Sequence, residues 1–464
     1  MASTYLTRTP SSNGNQSKFT WSAWIKRSGL NDYENLFSSD VSASNSFRIK
    51  FGESSSDQKL DVYYYTGIFD FRVSTNRVFR DTNSWYHIVV TFDNQQSTST
   101  DRIKIYVNGV RETSFSTSNF PATGEGANSL SKTNAPMRLG ATGVPDYYFD
   151  GLMSHVHFCD GYAYDASAFG STDSTTGEWK INTSPSVTYG TNGFFLLKDD
   201  NAVTDRSGQS NNFTVGGGTL TKTEDNPSNV FATLNPLTRI NTSQSPSKIF
   251  NNANTTFEVG SNVWGEAMST LAVSSGKYYV EFNIEKLESS NGYAQVGVMD
   301  YDLWGTTNNT YQYFLSNTAS AGLRLDYRTG QSSLDTGGSS VTSNVGDFVN
   351  GDKIGLAVDM DNKAMYVHKN GVYYQVGGVT GVPTSGSSKT GALTIPASCT
   401  IVGIGCATYS TSARISVNYG NGYFRTTAVS SNSGNGYSAT GNLGIFQYQP
   451  PTGYTALCTK GLNT

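Results

Sequence analysis

Short runs of alternating apolar and polar residues recur along the chain between turn residues, and this period of two predicts β-strands. Residues 354–358 are a run of small and branched apolar residues, residues 364–368 alternate, and Asn370-Gly371 follows. Asn-Gly is the strongest short hairpin signal, because both residues tolerate the positive φ that a type I′ turn requires. The pattern predicts strand, turn, strand, turn and strand over this segment.

The same arrangement occurs roughly 260 residues earlier in the chain. Residues 85–93 and 103–107 are predicted strands, and Asn108-Gly109 supplies the next turn. Two copies of one hairpin pattern indicate two β-sandwiches of one general type. Further strands are predicted at 19–25, 47–51, 60–65, 69–73, 137–140, 148–158, 399–406 and 413–418.

Length and composition agree with this pattern. The chain has 464 residues, more than the roughly 250–300 that one hydrophobic core usually serves, which predicts two main domains. Charged residues make up only 15%, whereas Gly (48), Tyr (28) and Phe (24) are abundant. Apolar residues at helical spacing are nearly absent, so the predicted fold class is all-β.

Charge and cysteine usage exclude several classes of function. A net charge of −4 without a Lys/Arg cluster provides no basic surface for phosphates, so we predict no nucleic-acid partner. No run approaches about 18 apolar residues, which predicts that the chain does not insert into a membrane. The N-terminus lacks an apolar signal segment, which predicts that the chain is made in the cytoplasm. The four cysteines, without CxxC spacing, predict no disulfide framework.

Two groups of motifs resemble known domains. The succession WSAWIK, WYHIVVTFD, IYVNGV, MRLG and FDGLMSHVHF resembles laminin-G and concanavalin-A-like jelly rolls over about residues 15–165. The motifs SGKYYVEFNI, YAQVGVMD, VGDFVNGDKIGLAVD and VHKNGV resemble a SPRY domain over about residues 260–420. Both resemblances imply concanavalin-like topology, so we predict two jelly-roll β-sandwiches joined by an irregular connector.

The residue ranges of the two resemblances set the predicted domain boundaries. A laminin-G/concanavalin-A-like sandwich occupies residues 1–165, and a SPRY-like sandwich occupies residues 256–447. Residues 166–255 are rich in turn residues with isolated apolar pairs, which predicts an ordered connector packed on the sandwiches. Residues 448–464 form a C-terminal tail.

Further motifs resemble virion structural proteins of marine bacteriophages. They include GYAYDASAFG, GEWK, YGTNGFFL, DRSGQSNNFTV, DNPSNVFATLNPL and the C-terminal QPPTGYTALCTKGL. The resemblance implies a virion protein, made in the host cytoplasm, that contacts other virion proteins and a host-surface glycan or protein. We expect a tail-associated fibre or receptor-binding component. A capsid decoration or head-fibre protein and a laminarinase-like glycan hydrolase remain as alternatives.

The candidate residues for hydrolysis are Glu281 and Glu285, since laminarinase-type glycosidases of this fold carry Glu-x-Asp-x-Glu on one strand. Here Asn283 stands at the middle position. Residues four apart on a strand lie about 13 Å from each other, whereas a retaining pair needs carboxyl groups about 5–5.5 Å apart, so a bulge would be required. We predict that the protein is not an enzyme.

Metal binding has two sets of candidates. His155, His157 and Cys159 alternate along one predicted strand and share a face, as a His-x-His ligand pair would. A fourth ligand is missing nearby, so we predict packing at the edge of the core and no cofactor. Structural calcium remains open, and the carboxylates that would supply its oxygens are Asp146, Asp150 and Asp160.

The partner surface is predicted after strand 294–299, because SPRY domains hold partners with loops at one end of the sandwich. Aromatic residues among Asn and Thr suit both sugar stacking and protein contacts. The alternative is that one or two rings cap the core. Low charge and many tyrosines also predict a homo-oligomer, with a trimer as first choice. The candidate residues are Tyr301, Trp304, Tyr311, Tyr313 and Tyr327.

Overall fold

The computed structural model of the protein describes residues 3–52, 57–143, 146–198, 203–238, 247–288, 291–303, 314–430 and 436–463. The chain divides into two compact units, Met1–Thr221 and Lys222–Thr464. Strands dominate both, and the only α-helix in the described ranges is the four-residue α1 (Ser99–Arg102). The predicted all-β class is confirmed. Across the same ranges, no helix has the length and apolar character needed to cross a membrane.

Unit 1 is a sandwich of an eight-stranded and a six-stranded antiparallel sheet. The first sheet has the order β10-β6-β5-β4-β3-β11-β1-β16 and the second β15-β12-β2-β7-β8-β9, while β13 and β14 form a separate ribbon. The strands are β1 (Tyr5–Arg8), β2 (Lys18–Arg27), β3 (Asn35–Ser42), β4 (Asn45–Phe51), β5 (Lys59–Tyr65), β6 (Phe69–Val78), β7 (Trp85–Asp93), β8 (Ile103–Val107), β9 (Val110–Arg111), β10 (Phe115–Asn119), β11 (Met137–Leu139), β12 (Gly151–Asp160), β13 (Gly170–Thr172), β14 (Trp179–Ile181), β15 (Phe194–Leu196) and β16 (Thr214–Gly217).

The core of unit 1 lies between its two sheets. On β2, Phe19 and Trp21 are fully buried and pack with Phe37 and Phe47 of the other sheet. The opposite face of β2 carries Trp24, whose ring stacks on His87 of β7 with 4.9 Å between centroids. The period of two therefore gives β2 one face in the main core and one face toward a second, outer layer.

Residues 166–221, the first part of the predicted connector, belong to unit 1. β15 extends the six-stranded sheet beside β12, and β16 extends the eight-stranded sheet beside β1. The DRSGQSN motif ties these elements together through the buried Asp205 carboxylate. Its Oδ1 accepts the Phe195 N–H at 2.8 Å, and its Oδ2 accepts the Asn211 N–H at 2.9 Å. The motif thus performs a structural role that the sequence pattern did not predict.

Unit 2 is a second sandwich, so the prediction of two sandwiches is confirmed. Its larger sheet has the order β17-β18-β32-β20-β25-β26-β27, with β30 beside β26 and β35 beside β20, and its smaller sheet has the order β19-β31-β21-β22-β23-β24. The strands are β17 (Lys248–Asn251), β18 (Thr256–Val259), β19 (Gly265–Met268), β20 (Lys277–Leu287), β21 (Tyr293–Asp300), β22 (Ser320–Asp326), β23 (Ser333–Thr336), β24 (Ser339–Ser343), β25 (Lys353–Asp359), β26 (Ala364–Lys369), β27 (Val372–Tyr373), β28 (Gln375–Val376), β29 (Val379–Thr380), β30 (Leu393–Thr394), β31 (Val402–Thr408), β32 (Ala413–Asn418), β33 (Tyr423–Phe424), β34 (Thr427–Ala428) and β35 (Thr455–Ala456).

Both predicted Asn-Gly hairpins are present. β25, β26 and β27 pair antiparallel in sequence, as do β7, β8 and β9. Asn370 and Gly371 have φ values of 49° and 87°, and Asn108 and Gly109 have 47° and 80°. Because both residues of each turn lie at positive φ, the turn chemistry that predicted these hairpins is confirmed.

Three paired glycines leave the smaller sheet of unit 2 without side chains at one place on the face turned away from the main core. Gly297 of β21 is paired with Gly322 of β22 on one side and with Gly405 of β31 on the other. A Cβ atom at Gly322 would come within 2.9 Å of the Leu315 side chain. The glycines therefore leave room for the 3₁₀ turn Phe314–Ser316, whose Phe and Leu pack there with Met268 and Met299.

The C-terminal residues form a packed layer on the larger sheet of unit 2. β35 runs parallel to β20, with Tyr278 opposite Thr455. Tyr454 and Phe446 are fully buried and pack with Tyr279 of β20 in a second apolar cluster. The predicted tail 448–464 is thus part of the folded unit. The DNPSNVF motif holds its end, since Asn229 Oδ1 accepts the Lys460 N–H at 3.1 Å.

Candidate binding surface

The predicted partner residues do not form one surface among the described residues. Trp304, Tyr311 and Tyr313 lie outside the described ranges. Tyr301 and Tyr327 follow β21 and β22, which pair antiparallel with Tyr293 opposite Asp326. Because the strands run in opposite directions, Tyr301 and Tyr327 lie at opposite ends of the ladder, more than about 20 Å apart at the usual rise per residue.

Tyr301 is anchored at its end of the sheet. Its backbone N–H donates to the Ile401 carbonyl at 2.7 Å. Burial raises the pKa of Tyr301, and a side-chain hydrogen bond with Asn235 opposes that rise. The half-buried ring is therefore held by neighbours within unit 2.

Tyr327 belongs to a row of four half-exposed rings at the other end of the same sheet. Trp264 precedes β19, Tyr409 follows β31, Tyr293 opens β21 and Tyr327 follows β22. These four strands are consecutive neighbours in the sheet. Ring centroids are separated by 5.6 Å from Trp264 to Tyr409, 5.8 Å from Tyr409 to Tyr293, and 5.5 Å from Tyr293 to Tyr327. Trp264 is also 6.5 Å from Tyr293, so the first three rings form a triangle. We call these four residues the aromatic row.

The sheet ladder fixes the positions of the aromatic row. The Tyr409 N–H donates to the Tyr293 carbonyl at 3.1 Å, and the Tyr327 N–H donates to the Gly292 carbonyl at 3.0 Å. Neighbouring rings are tilted by 58° to 75°, so faces and edges alternate along the row. Edge-to-face contacts of this kind stabilise a pair by about 0.5–1.5 kcal/mol beyond burial alone. The row is therefore an ordered surface.

Arg328 lies over the Tyr327 end of the row. Its guanidinium carbon is 5.6 Å from the Tyr293 ring centroid and 6.0 Å from the Tyr327 ring centroid. The guanidinium binds the Asp326 carboxylate with Nε–Oδ1 at 3.0 Å and Nη2–Oδ2 at 2.7 Å. Asp326 raises the pKa of Arg328, so the arginine stays charged. The Arg328 side chain is nevertheless 54% exposed.

Sequence reasoning missed Trp264, Tyr293, Tyr409 and Arg328. They are spread along the chain from residue 264 to residue 409, and only the pairing register places them side by side. A usable signal was present, because each aromatic ring stands at the end of a strand or directly beside it. Strand order was the missing information.

The two candidate catalytic carboxylates bind structural partners. Glu281 is fully buried, and its carboxylate accepts the N–H groups of Gln447 at 2.9 Å and Tyr448 at 2.7 Å. The C-terminal layer thus covers it, and burial raises the pKa of Glu281 to about 7. The register of β20 against β32 shifts beside Glu285, so the bulge that a retaining pair would need exists. Glu285, however, accepts hydrogen bonds from Asn283 and Ser416.

The histidines of β12 are packed in the outer layer of unit 1. His157 Nδ1 lies 2.9 Å from Tyr189 Oη, and its ring stacks on Phe195 with 3.9 Å between centroids. His155, at the bulge in β12 and with a positive φ of 48°, has Nδ1 2.8 Å from Ser154 Oγ. Burial lowers the pKa of His157 and raises the pKa of Cys159 to about 12. Within the ranges that the structure describes, no three His, Cys, Asp or Glu side chains are grouped to hold a metal ion.

The three candidate calcium ligands each bind a different part of the chain. Asp146 Oδ1 accepts the N–H of Tyr147. Asp150 accepts the hydroxyl of Ser28 at 3.3 Å. Asp160 accepts the backbone N–H groups of Asn15 at 2.7 Å and Asn192 at 3.0 Å. Their oxygens therefore serve as turn and loop acceptors.

Comparison with solved structures gives similarities at low identity. The SPRY domain of human HERC1 shares 17% identity over 37% of this chain and 91% of that chain, with a TM-score of 0.27. Domains LG4-5 of the mouse laminin alpha1 chain share 9% identity over 91% of this chain and 84% of that chain, also at 0.27. Domain 4 of the arabinanase AbnA from Geobacillus stearothermophilus shares 21% identity over 33% of this chain and 65% of that chain, at 0.25. The fold of each unit is defined by its own two main sheets.

Comparison of sequences gives one match. No curated protein matches the chain. Residues 2–167, which include the strands β1 to β12 of unit 1, match the family described as the concanavalin A-like lectin/glucanases superfamily. The predicted resemblance of the first sandwich is thereby supported, and this part of the chain is similar to concanavalin A-like lectins and glucanases.

Proposed function

We propose that the chain is a non-enzymatic adhesion protein of a bacteriophage virion, acting as a tail-associated fibre or receptor-binding component. The virion assignment is supported by the sequence motifs that resemble marine phage proteins. The observation that carries the adhesive role is the aromatic row of unit 2. Rings held half-exposed by a sheet present contact area that is already ordered, so that binding costs little side-chain entropy.

The non-enzymatic part of the proposal is supported by the candidate carboxylates. Glu281 has all its oxygens directed at donors of its own unit, and the C-terminal layer separates it from solvent. Glu285 is held by Asn283 and Ser416. A glycosidase needs one carboxyl group free to protonate the leaving group and another facing the sugar ring. Neither residue is placed for such a role.

We further propose that the protein acts as a homo-oligomer, with a trimer as first choice, beside other virion proteins. Symmetric copies would bring several aromatic rows to one host surface, and linked sites convert weak single contacts into strong attachment. Mass photometry of the purified protein tests this proposal. A monomer at all concentrations, together with single copies on the virion, would contradict it.

The experiment that tests adhesion is a competition assay. Purified wild-type protein should bind host cells and reduce virion adsorption in a saturable manner. The variant Trp264→Ala/Tyr293→Ala should lose this effect while keeping its β-sheet circular dichroism. Tyr162→Ala is the matched control, because Tyr162 is a 40% exposed tyrosine of unit 1 outside the row.

Location on the particle is tested separately by cryo-electron microscopy of virions carrying a tagged copy of the protein. Label on the tail supports the proposal. Label confined to the capsid would replace it with the alternative of a capsid decoration or head-fibre protein. Wild-type protein that neither binds cells nor competes with virions would contradict adhesion in either place.

A further inference from the structure

We propose that the aromatic row and the Arg328–Asp326 pair form a binding site for a saccharide chain. This inference rests on the proposed adhesive function and names the chemistry of its partner. Sugar rings would lie against the solvent-accessible part of the row, and sugar hydroxyls would bind the guanidinium at its Tyr327 end.

The aromatic row is a compact group of rings. Centroid distances of 5.5 to 5.8 Å join the rings of neighbouring strands, and Trp264 is also 6.5 Å from Tyr293, so that Trp264, Tyr409 and Tyr293 form a triangle. A group of this shape offers a contact to individual sugar rings of a chain. A pyranose offers an apolar C–H face that packs on an aromatic face, while its hydroxyls remain at the edge. Aromatic rings with polar tips, such as Trp and Tyr, suit both parts of this ligand.

Arg328 supplies directed donors at one end of the row. The Asp326 carboxylate accepts hydrogen bonds from Arg328 Nε and from one N–H of Arg328 Nη2. Arg328 Nη1 makes no hydrogen bond with any residue in the described part of the chain. A guanidinium has five N–H donors in one plane, so its outer edge remains able to bind hydroxyl or carboxylate oxygens. The contact with Asp326 and the two tyrosine rings below fix its orientation before a ligand arrives. Preorganisation of this kind favours a small polar ligand.

The polar groups beside the aromatic row favour a saccharide partner. The exposed neighbours on the adjoining turns carry hydroxyl and amide groups, which are the groups that bind sugar hydroxyls. These neighbours are Thr329, Gln331 and Thr411.

An array of bacterial O-antigen and capsular polysaccharides, followed by calorimetric titration of the positive compounds, tests the site. Wild-type protein should bind at least one polysaccharide. Trp264→Ala and Tyr293→Ala should each weaken binding at least about tenfold, because a few aromatic side chains usually carry most of the energy of a contact. Arg328→Lys should weaken it severalfold, since lysine keeps the charge but lacks the planar fork. Tyr162→Ala should bind as wild type does.

Host cells treated with periodate, which cleaves vicinal diols of surface sugars, separate this inference from the proposed function. Loss of binding to treated cells supports the saccharide site. Unchanged, row-dependent binding to treated cells would overturn the saccharide and leave adhesion to a protein standing. Polysaccharide binding that survives all three substitutions in folded variants would overturn the site. Failure of wild-type protein to bind untreated cells would overturn the adhesive function itself.

Discussion

The two units cover the outer face of a sheet in different ways. In unit 1, the face formed by β2, β7 and β12 is covered by residues that follow β12 directly, and these pack as a cluster containing Phe169, Tyr189 and Phe195. In unit 2, the face formed by β20, β25 and β26 is covered by the C-terminal layer, which includes Phe446 and Tyr454. The first cover is local in sequence. The second arrives more than a hundred residues after β20, so only the complete unit can form it.

The difference extends to one buried glutamate in each unit, Glu34 and Glu281. Burial raises the pKa of both Glu34 and Glu281 to about 7. Glu34 has a cationic partner, since Arg27 Nε donates to its Oε2 at 3.1 Å and neither side chain is exposed. Glu281 is bound instead by backbone N–H groups of the C-terminal layer. The charge state of Glu281 is therefore coupled to the packing of the C-terminal layer, whereas the charge state of Glu34 is coupled to the Arg27 side chain.

The largest effect is expected when an aromatic ring is removed from a cover. Phe446→Ala should lower the free energy of unfolding of unit 2 by about 3–5 kcal/mol, because the ring is fully buried and leaves a cavity. Phe169→Ala is the matched change in unit 1, since this buried ring packs on His157 of β12. Urea unfolding gives the magnitudes, and hydrogen exchange should show lost protection in β20 for Phe446→Ala and in β12 for Phe169→Ala. Unchanged exchange in β20 would mean that the C-terminal layer does not stabilise the sheet.

The next effect concerns the ion pair of unit 1. Arg27→Met should cost about 3–5 kcal/mol, because it leaves Glu34 buried without its cation. The double variant Arg27→Met/Glu34→Leu should recover most of this loss, since apolar residues of similar volume often replace a buried pair without net cost. Both values come from urea unfolding of unit 1. A double variant as unstable as the single one would show that the pair holds this region by more than charge compensation.

The comparison also explains how much was predictable from the sequence. The hairpins at Asn108-Gly109 and Asn370-Gly371 were predicted correctly because a turn depends on adjacent residues. The C-terminal layer that covers unit 2 was predicted only as a tail. Its contact with the sheet, between Tyr454 and Tyr279, joins residues that are far apart in the chain. Local patterns carry no information about such contacts.

The candidate site was predictable to a smaller degree. Tyr327 was named, but it was grouped with Tyr301 in one partner surface after strand 294–299. The antiparallel ladder separates them by its full length. Trp264 and Tyr409 were missed for the converse reason, since strand order brings together residues that are distant in the chain.

A smaller effect should appear in the pH dependence of unit 2. A folded-state pKa of about 7 for Glu281, above its value in the unfolded chain, means that the folded unit holds this proton more tightly. Its stabilising contribution is complete below about pH 4.5 and is lost as pH rises through about 7, in total about 3 kcal/mol. Burial lowers the pKa of His368 to about 4, which gives the opposite slope between about pH 4 and 6.5.

The difference between wild type and Glu281→Gln separates the two slopes. Glutamine cannot ionise, and the His368 contribution cancels in the difference, as does that of Glu34. The stability of wild type relative to the variant should therefore fall by about 3 kcal/mol from pH 4.5 to pH 7.5. Urea unfolding at five pH values measures it. A constant difference across this range would show that Glu281 keeps its usual pKa inside the unit.

The smallest effect tests how each unit accommodates a neutral histidine on its covered face. In unit 1, His87 lies opposite Trp24 and stacks on its ring. In unit 2, His368 lies opposite Gly355, and a Cβ atom there would be 1.9 Å from its Nε2. Gly355→Ala should therefore displace the imidazole and break its 2.7 Å contact with Tyr279 Oη, at a cost of about 1–3 kcal/mol.

The double variant Gly355→Ala/His368→Ala identifies the cause of that loss. If the alanine acts only by displacing the ring, it should cost little once the ring is absent, and the two changes should show a coupling of about 0.5–3 kcal/mol in a double-mutant cycle. Additive losses would place the strain in β25 itself. Because Gly355 has no positive φ, alanine meets no backbone restriction there, and the histidine ring is the nearest obstacle. The two units thus accommodate the imidazole differently. Gly355 leaves space for His368 beside β25, whereas the Trp24 ring packs flat against His87.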